Sequence, residues 1–182
     1  SEHLSTVSES ARLDAELLLC HVLGRPRSYL YTWPEYVLSE GELQSLQKLV
    51  ERRLSGEPIA HLIGRREFWS LELVVSPDTL IPRPETELLV EAALARIPEG
   101  AEWSIADLGT GSGAIALAIA SERPHCRIIA VERSEGALSV ARENARRLNL
   151  DNVEFLQGDW FTPLADRCFE MILSNPPYIP AA

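Results

Sequence analysis

The chain of 182 residues has few of the features that mark a secreted, membrane or nucleic-acid-coating protein. It has three cysteines, Cys20, Cys126 and Cys168, odd in number and far apart, so neither a disulfide framework nor a paired Cys-x-x-Cys zinc site is readable. The four histidines are scattered, and His125 beside Cys126 reads as a loop leading into a strand; no metal is expected. No apolar run approaches the ~20 residues of a membrane span, and the opening Ser1-Glu2-His3 carries no basic-plus-apolar leader. Positive charge is short: 17 Lys and Arg face 27 Asp and Glu, a net charge of −10. Residues 1–84 carry 9 basic and 12 acidic side chains, and residues 85–182 carry 8 and 15, so neither half offers a basic face for phosphates. These absences lead to a soluble, cytoplasmic protein, with no membrane and no direct nucleic acid as partner. With 46% hydrophobic residues it can still bury a core and make one or two domains.

What is present divides into two patterns. The first third reads as a small helical bundle. Leu13, Leu17 and Cys20 recur at helical spacing, and Gly24 with Pro26 stops the helix. Tyr29, Tyr31 and Trp33 suggest a short, partly buried helical turn. Ser39 and Glu42 form a capping box before the stripe Leu43, Leu46, Val50, Leu54, which Gly56 and Pro58 close. Phe68–Val75 is rich in strand formers, and Ser76-Pro77-Asp78 is a turn, predicting a hairpin with Thr79–Ile81. Pro84 suits a first helical position, with a helix over Glu85–Arg96.

Strands and helices then alternate: a strand at Ser104–Asp107, a helix at Ala114–Glu122, a strand at Arg127–Glu132, a helix at Glu135–Leu148, and strands at Val153–Gln157 and Phe169–Ser174. This order predicts an α/β, Rossmann-like doubly wound parallel sheet, whose ligands sit at the carboxyl ends of the strands.

Four motifs fall at those ends. Asp107-Leu108-Gly109-Thr110-Gly111-Ser112-Gly113 is a turn where a ligand can approach backbone N–H groups. Gly109, Gly111 and Ala114 also satisfy the dinucleotide form G-x-G-x-x-A, which leaves NAD open. Glu132 ends the second strand, where an acid can accept from both ribose hydroxyls of an adenosine. Gly158-Asp159-Trp160-Phe161 follows the third strand; Asp159 could take the adenine amino group and Trp160 could lie on the purine face. Asn175-Pro176-Pro177-Tyr178 follows the fourth. Its prolines stiffen the backbone, leaving the Asn175 side-chain oxygen and the Pro176 carbonyl as acceptors and Tyr178 as a flat wall. That arrangement suits an NH2 on a planar conjugated group.

Together the four resemble the class I S-adenosylmethionine-dependent methyltransferases that modify planar amino groups. The segments Leu80-Ile81-Pro82-Arg83-Pro84-Glu85-Thr86-Glu87 and Gly56-Glu57-Pro58-Ile59-Ala60-His61 resemble, more narrowly, the protein-(glutamine) methyltransferases of the HemK/PrmC family, which act on peptide chain release factors. The resemblance runs from about Arg12 to the end of the chain. It implies S-adenosyl-L-methionine over Asp107, Gly109, Thr110, Gly111, Ser112 and Gly113, with Glu132 on the ribose, Trp160 beside the adenine and Asn175 near the methionine end. Asn175, Pro176, Pro177 and Tyr178 would hold the amide of a glutamine in a Gly-Gly-Gln loop. Many relatives have Asp where this chain has Glu132.

The chemistry expected is direct transfer: the site orients nitrogen and methyl carbon and stabilises positive charge growing on the NH2. The resemblance divides the chain into a helical substrate-recognition domain (1–66), a hairpin and linker (67–84) and a methyltransferase domain (85–182), acting as a monomer. Because relatives continue with further strands, it also implies a C-terminally incomplete sheet, an apolar edge at Cys168–Ser174, an earlier missing helix before Arg12, and weak or no activity from these residues alone. A nucleic-acid adenine amino-methyltransferase, an NAD-dependent oxidoreductase and a non-catalytic adapter stay open as rivals.

Overall fold

A computed structural model of the chain describes residues 10–176. The chain forms two compact units that divide between Gly64 and Arg65.

The first unit is helical. Helix α1 (Ala11–Leu23) ends on Gly24, whose φ of 59° is left-handed, and the Gly24 and Arg25 N–H groups return to the carbonyls of His21 and Cys20. Helix α2 (Arg27–Thr32) is the short turn expected around Tyr29, but Tyr31 and Trp33 are more exposed than expected, at 60% and 53%. Helix α3 (Glu40–Leu54) starts with the capping box: the Glu42 N–H donates to Ser39, and the Ser39 N–H donates to the Glu42 carboxylate. Helix α4 (Ile59–Ile63) ends at Gly64. Leu18 of α1 is fully buried, and Asp14 beside it is paired with Arg53 of α3 at 2.9 Å.

The second unit opens with an antiparallel hairpin, β1 (Arg65–Phe68) and β2 (Leu71–Val74). The predicted single strand Phe68–Val75 is thus half of this hairpin, and the turn lies inside it. Trp69 and Ser70 both take positive φ, 52° and 59°, the conformation a two-residue turn requires. Turns of that kind announce themselves as Asn-Gly or Asp-Gly, and Trp-Ser does not. The Ser76–Thr79 turn forms, with the Thr79 N–H on the Ser76 carbonyl at 3.0 Å, but the predicted strand Thr79–Ile81 does not. Pro84 opens a 3₁₀ turn, Pro84–Thr86, before helix α5 (Glu87–Leu94), shorter than the predicted Glu85–Arg96.

The main sheet has the order β5-β4-β3-β6 and is parallel throughout. Its strands are β3 (Ser104–Leu108), β4 (Arg127–Glu132), β5 (Val153–Gln157) and β6 (Met171–Ser174). Strand β6 begins two residues later than predicted, because the Glu170 N–H turns to the Ser104 carbonyl before the ladder starts. Alternation along β3 and β4 sends Ile105, Ile128 and Ala130 to one face, and Ala106, Leu108, Ile129 and Val131 to the other. Burial on both faces is what a parallel sheet needs.

Helix α6 (Ala114–Glu122) is buried from Ala114 through Ala120, so it is apolar all round. Helix α7 (Glu135–Leu148) buries a single stripe, Ala137, Leu138, Ala141, Asn144 and Ala145, and exposes the rest. Each fully buried Ile or Leu in this core contributes about 1.5–3 kcal/mol relative to exposure. Strand order reverses about β3, and the carboxyl ends of β3, β4, β5 and β6 share one edge of the sheet, the position where crevices form in such folds.

Candidate functional site

At the end of β3, three glycines have different duties. Gly109, Gly111 and Gly113 all take positive φ, 74°, 57° and 86°. A Cβ on Gly113 would meet Leu117 at 3.0 Å and Ala141 at 3.3 Å, so this glycine lets α6 and α7 close. A Cβ on Gly109 or Gly111 would meet nothing within 4 Å. Those two leave bare backbone beside open space.

The N–H groups of the turn are largely committed. Gly109 and Thr110 donate to the Val131 carbonyl at 2.9 and 3.0 Å, and Gly113 donates to the Thr110 carbonyl at 2.9 Å. Gly111 donates to the Glu132 carboxylate at 3.0 Å. Sequence reasoning had these groups facing a ligand; most of them face the protein. Here Glu132 puts an anion on the Gly111 N–H.

Glu132 joins all three neighbouring loops. Its second carboxylate oxygen accepts the Ser134 N–H at 3.0 Å, and its carbonyl accepts the Gly158 N–H at 3.0 Å. A carboxylate has about four lone-pair sites, so each oxygen, with one N–H bond made, keeps one for an incoming hydroxyl.

Asp107 lies behind the turn, 1% exposed. Its Oδ2 accepts from the Thr110 hydroxyl at 2.6 Å, while Oδ1 has no hydrogen-bond partner among the described residues. Burial pushes its carboxyl up from 3.8 to about 6; the Thr110 hydroxyl and the Ala116 amide pull it down, and the charge of Glu132 adds to the rise. Ser112 is buried, and its carbonyl accepts from Asn144 Nδ2 at 2.9 Å.

After β5, a Cβ on Gly158 would meet Pro163 at 2.7 Å, which fixes the loop's path. Trp160 is held at φ 50° and stays 49% exposed, so its ring is not a core side chain. Asp159 is exposed too. After β6, the Ser174 hydroxyl donates to the Leu108 carbonyl at 2.9 Å and pins this strand end to β3. Asn175 is half-buried, and its Nδ2 donates to the Thr86 hydroxyl at 3.0 Å. Pro176 is exposed, whereas Pro177 and Tyr178 lie outside the described residues.

Two residues at the site escaped the sequence. Asn144 is fully buried and bonds the Val74 N–H at 2.7 Å, the Val74 carbonyl at 3.0 Å and the Ser112 carbonyl. One side chain therefore ties the hairpin to the glycine turn. Its signal was available: a polar residue on the apolar stripe of α7. Thr86 was quoted within a motif, but its partner is 89 residues away.

Known proteins match both units. The family described as the PrmC N-terminal domain matches residues 1–64, and the family described as a methyltransferase domain matches residues 100–181. The release factor glutamine methyltransferase of Escherichia coli K12 is 59% identical over 172 residues, 94% of this chain and 62% of that protein. That of Aliivibrio fischeri is 58% identical over 174 residues, 94% of this chain and 61% of that protein. Over 94% of its length the chain is similar to release factor glutamine methyltransferases. It spans about three-fifths of the length of these curated relatives.

Among solved structures, a T. thermophilus 16S rRNA N2 methyltransferase, in complex with AdoMet and guanosine, aligns with a TM-score of 0.55 and 23% identity. The match covers 65% of this chain and 33% of that one, and shows the class I methyltransferase fold. Among the described residues of this release factor glutamine methyltransferase relative, no helix is long and apolar enough to cross a membrane.

Proposed function

We propose that the crevice at the carboxyl ends of β3 to β6 binds S-adenosyl-L-methionine, and that the whole protein methylates the side-chain amide of a glutamine in the Gly-Gly-Gln loop of a peptide chain release factor. The observation that carries the cofactor reading is the glycine turn at the end of β3 clasped to the acid that ends β4, with the Gly111 N–H on the Glu132 carboxylate. Bare backbone at Gly109 and Gly111 supports a close approach by the methionine part, with Thr110, Ser112 and Gly113 shaping the turn. Glu132 takes the ribose hydroxyls on its remaining lone pairs, and the half-exposed ring of Trp160 offers a face to the adenine.

The bound sulfonium supplies an activated methyl group. The protein's part is to hold an amide nitrogen still and to stabilise the charge that grows there. Asn175 Oδ1 and the Pro176 carbonyl are the acceptors for the two amide hydrogens, and Pro177 and Tyr178 complete the motif in sequence. An amide nitrogen is a weak nucleophile, so alignment and this local negative potential are what the site contributes; the proton leaves during or after attack. The relatives' printed names support release factors as substrate over an adenine in nucleic acid, and the net charge of −10 supports the same choice. The division into a recognition domain (1–66), a hairpin and linker (67–84) and a methyltransferase domain (85–182) belongs to this proposal, as does a monomeric, cytoplasmic protein.

Incubation with labelled S-adenosylmethionine and release factors, followed by peptide mapping, should place the label on a glutamine amide. Asn175→Ala should lower transfer by ~10²–10³ while sparing most cofactor affinity. Label on nucleic acid instead, or near-normal turnover by Asn175→Ala, would sink the reading.

A further inference from the structure

Thr86 occupies the residue before helix α5, where a threonine ordinarily folds its hydroxyl over the first helical N–H groups. It does not do so here. Its backbone is already helical (φ −69°, ψ −20°) because it also ends the 3₁₀ turn begun by Pro84, and no side-chain cap is made. The released hydroxyl accepts instead from Nδ2 of Asn175 at 3.0 Å, across 89 residues of sequence. Pro82 is buried and Pro84 fixes φ, so the segment that presents Thr86 is held on both sides.

From this contact, and resting on the reading that Asn175 Oδ1 receives the substrate NH2, we infer that Thr86 is the positioning residue that fixes the amide plane of Asn175. An asparagine amide has two ends of similar size and opposite polarity, on a torsion that is broad and roughly two-fold. Unanchored, it can turn its nitrogen outward and present a donor to a donor. A hydroxyl can give or take, so Thr86 alone anchors the plane; an incoming NH2 then selects the oxygen. One orientation satisfies both: nitrogen on Thr86, oxygen toward the substrate. As the oxygen takes up charge-assisted bonds from the reacting nitrogen, the Nδ2–H bond to Thr86 strengthens in concert.

The test is a pair of variants in the ¹⁵N-labelled protein, Thr86→Val, which keeps the shape and removes the hydroxyl, and Thr86→Ser, which keeps it. The Asn175 side-chain NH2 signal is assigned by its loss in Asn175→Ala. Thr86→Val should move that signal and speed its hydrogen exchange, and Thr86→Ser should restore both. In single-turnover methyl transfer to a glutamine peptide, Thr86→Val should lower the rate by ~10- to 100-fold, the scale of a small misplacement, with the S-adenosylmethionine dissociation constant unchanged. An Asn175 signal that ignores Thr86→Val overturns the inference whatever the activity. A rate lost in Asn175→Ala but kept in Thr86→Val overturns it while leaving Asn175 in its role. Indifference of the rate to both substitutions removes Asn175 from the reaction, and the inference with it.

Discussion

Replacing Glu132 by alanine should separate what this carboxylate does for the protein from what it does for a ligand. In the free chain it accepts two backbone N–H groups, Gly111 and Ser134, each at 3.0 Å. A typical hydrogen bond contributes ~0.5–1.5 kcal/mol net, so both together stabilise the fold by about 2 kcal/mol. Both N–H groups sit beside solvent, and water replaces part of the loss. With an unfolding entropy near 2 cal/mol/K per residue, the melting temperature of a unit this size should fall by roughly 5–8 °C, without unfolding at room temperature. The ligand effect is separate. Losing charge-assisted bonds to two ribose hydroxyls should cost roughly 1.5–3 kcal/mol, a ~10- to 100-fold rise in the S-adenosylmethionine dissociation constant. Calorimetric titration below the variant's melting point measures the second effect, and scanning calorimetry without ligand measures the first. An unchanged dissociation constant beside a lowered melting temperature would leave Glu132 as a clasp on the glycine turn only.

Asp107 should give a pH signature. Its carboxyl is raised to about 6 in the folded chain, so between its ordinary 3.8 and 6 the folded state holds more protons than the unfolded state. Its contribution to stability must then fall as pH rises through that window and level off above it, by about 3 kcal/mol at most. Denaturant titrations from pH 4 to 7 should show this slope, and Asp107→Asn should flatten it; identical slopes would mean Asp107 titrates normally. Asn144→Ala should cost about 3 kcal/mol, since it strips partners from the partly buried backbone groups of Val74 and the buried carbonyl of Ser112. Thermal melting checks it, and a loss no larger than that of an exposed helical asparagine would contradict the tether.

Much of the second unit was legible because its signals are redundant. Helices α6 and α7 and strands β4 and β5 fall on their predicted bounds, and the structure adds a Ser134 cap and a left-handed Asn149 at the two ends of α7. The hairpin was misplaced because Trp69 and Ser70 hold left-handed backbone without glycine. Tertiary contacts outweigh local preference there: the Trp69 N–H bonds Glu87 and its indole bonds Glu122. At the site, the sequence named the residues at each strand end but not their hydrogen-bond polarity. That the glycine turn spends its N–H groups inward, on Val131 and Glu132, depends on pairing between strands, which spacing does not encode. A polar side chain on the apolar stripe of α7 marks Asn144, but its partners, like that of Thr86, lie far off in sequence.

The reversal of strand order at β3 has an energetic consequence. Glu132 ends β4 and Asn175 follows β6, on opposite sides of β3, so two strand spacings, roughly 9–10 Å, separate them. Groups that far apart, with no shared hydrogen-bond partner, contribute additively to a free energy. Affinity for the nucleoside and grip on the amide can therefore drift independently, one half weakening by substitution while the other keeps its full strength.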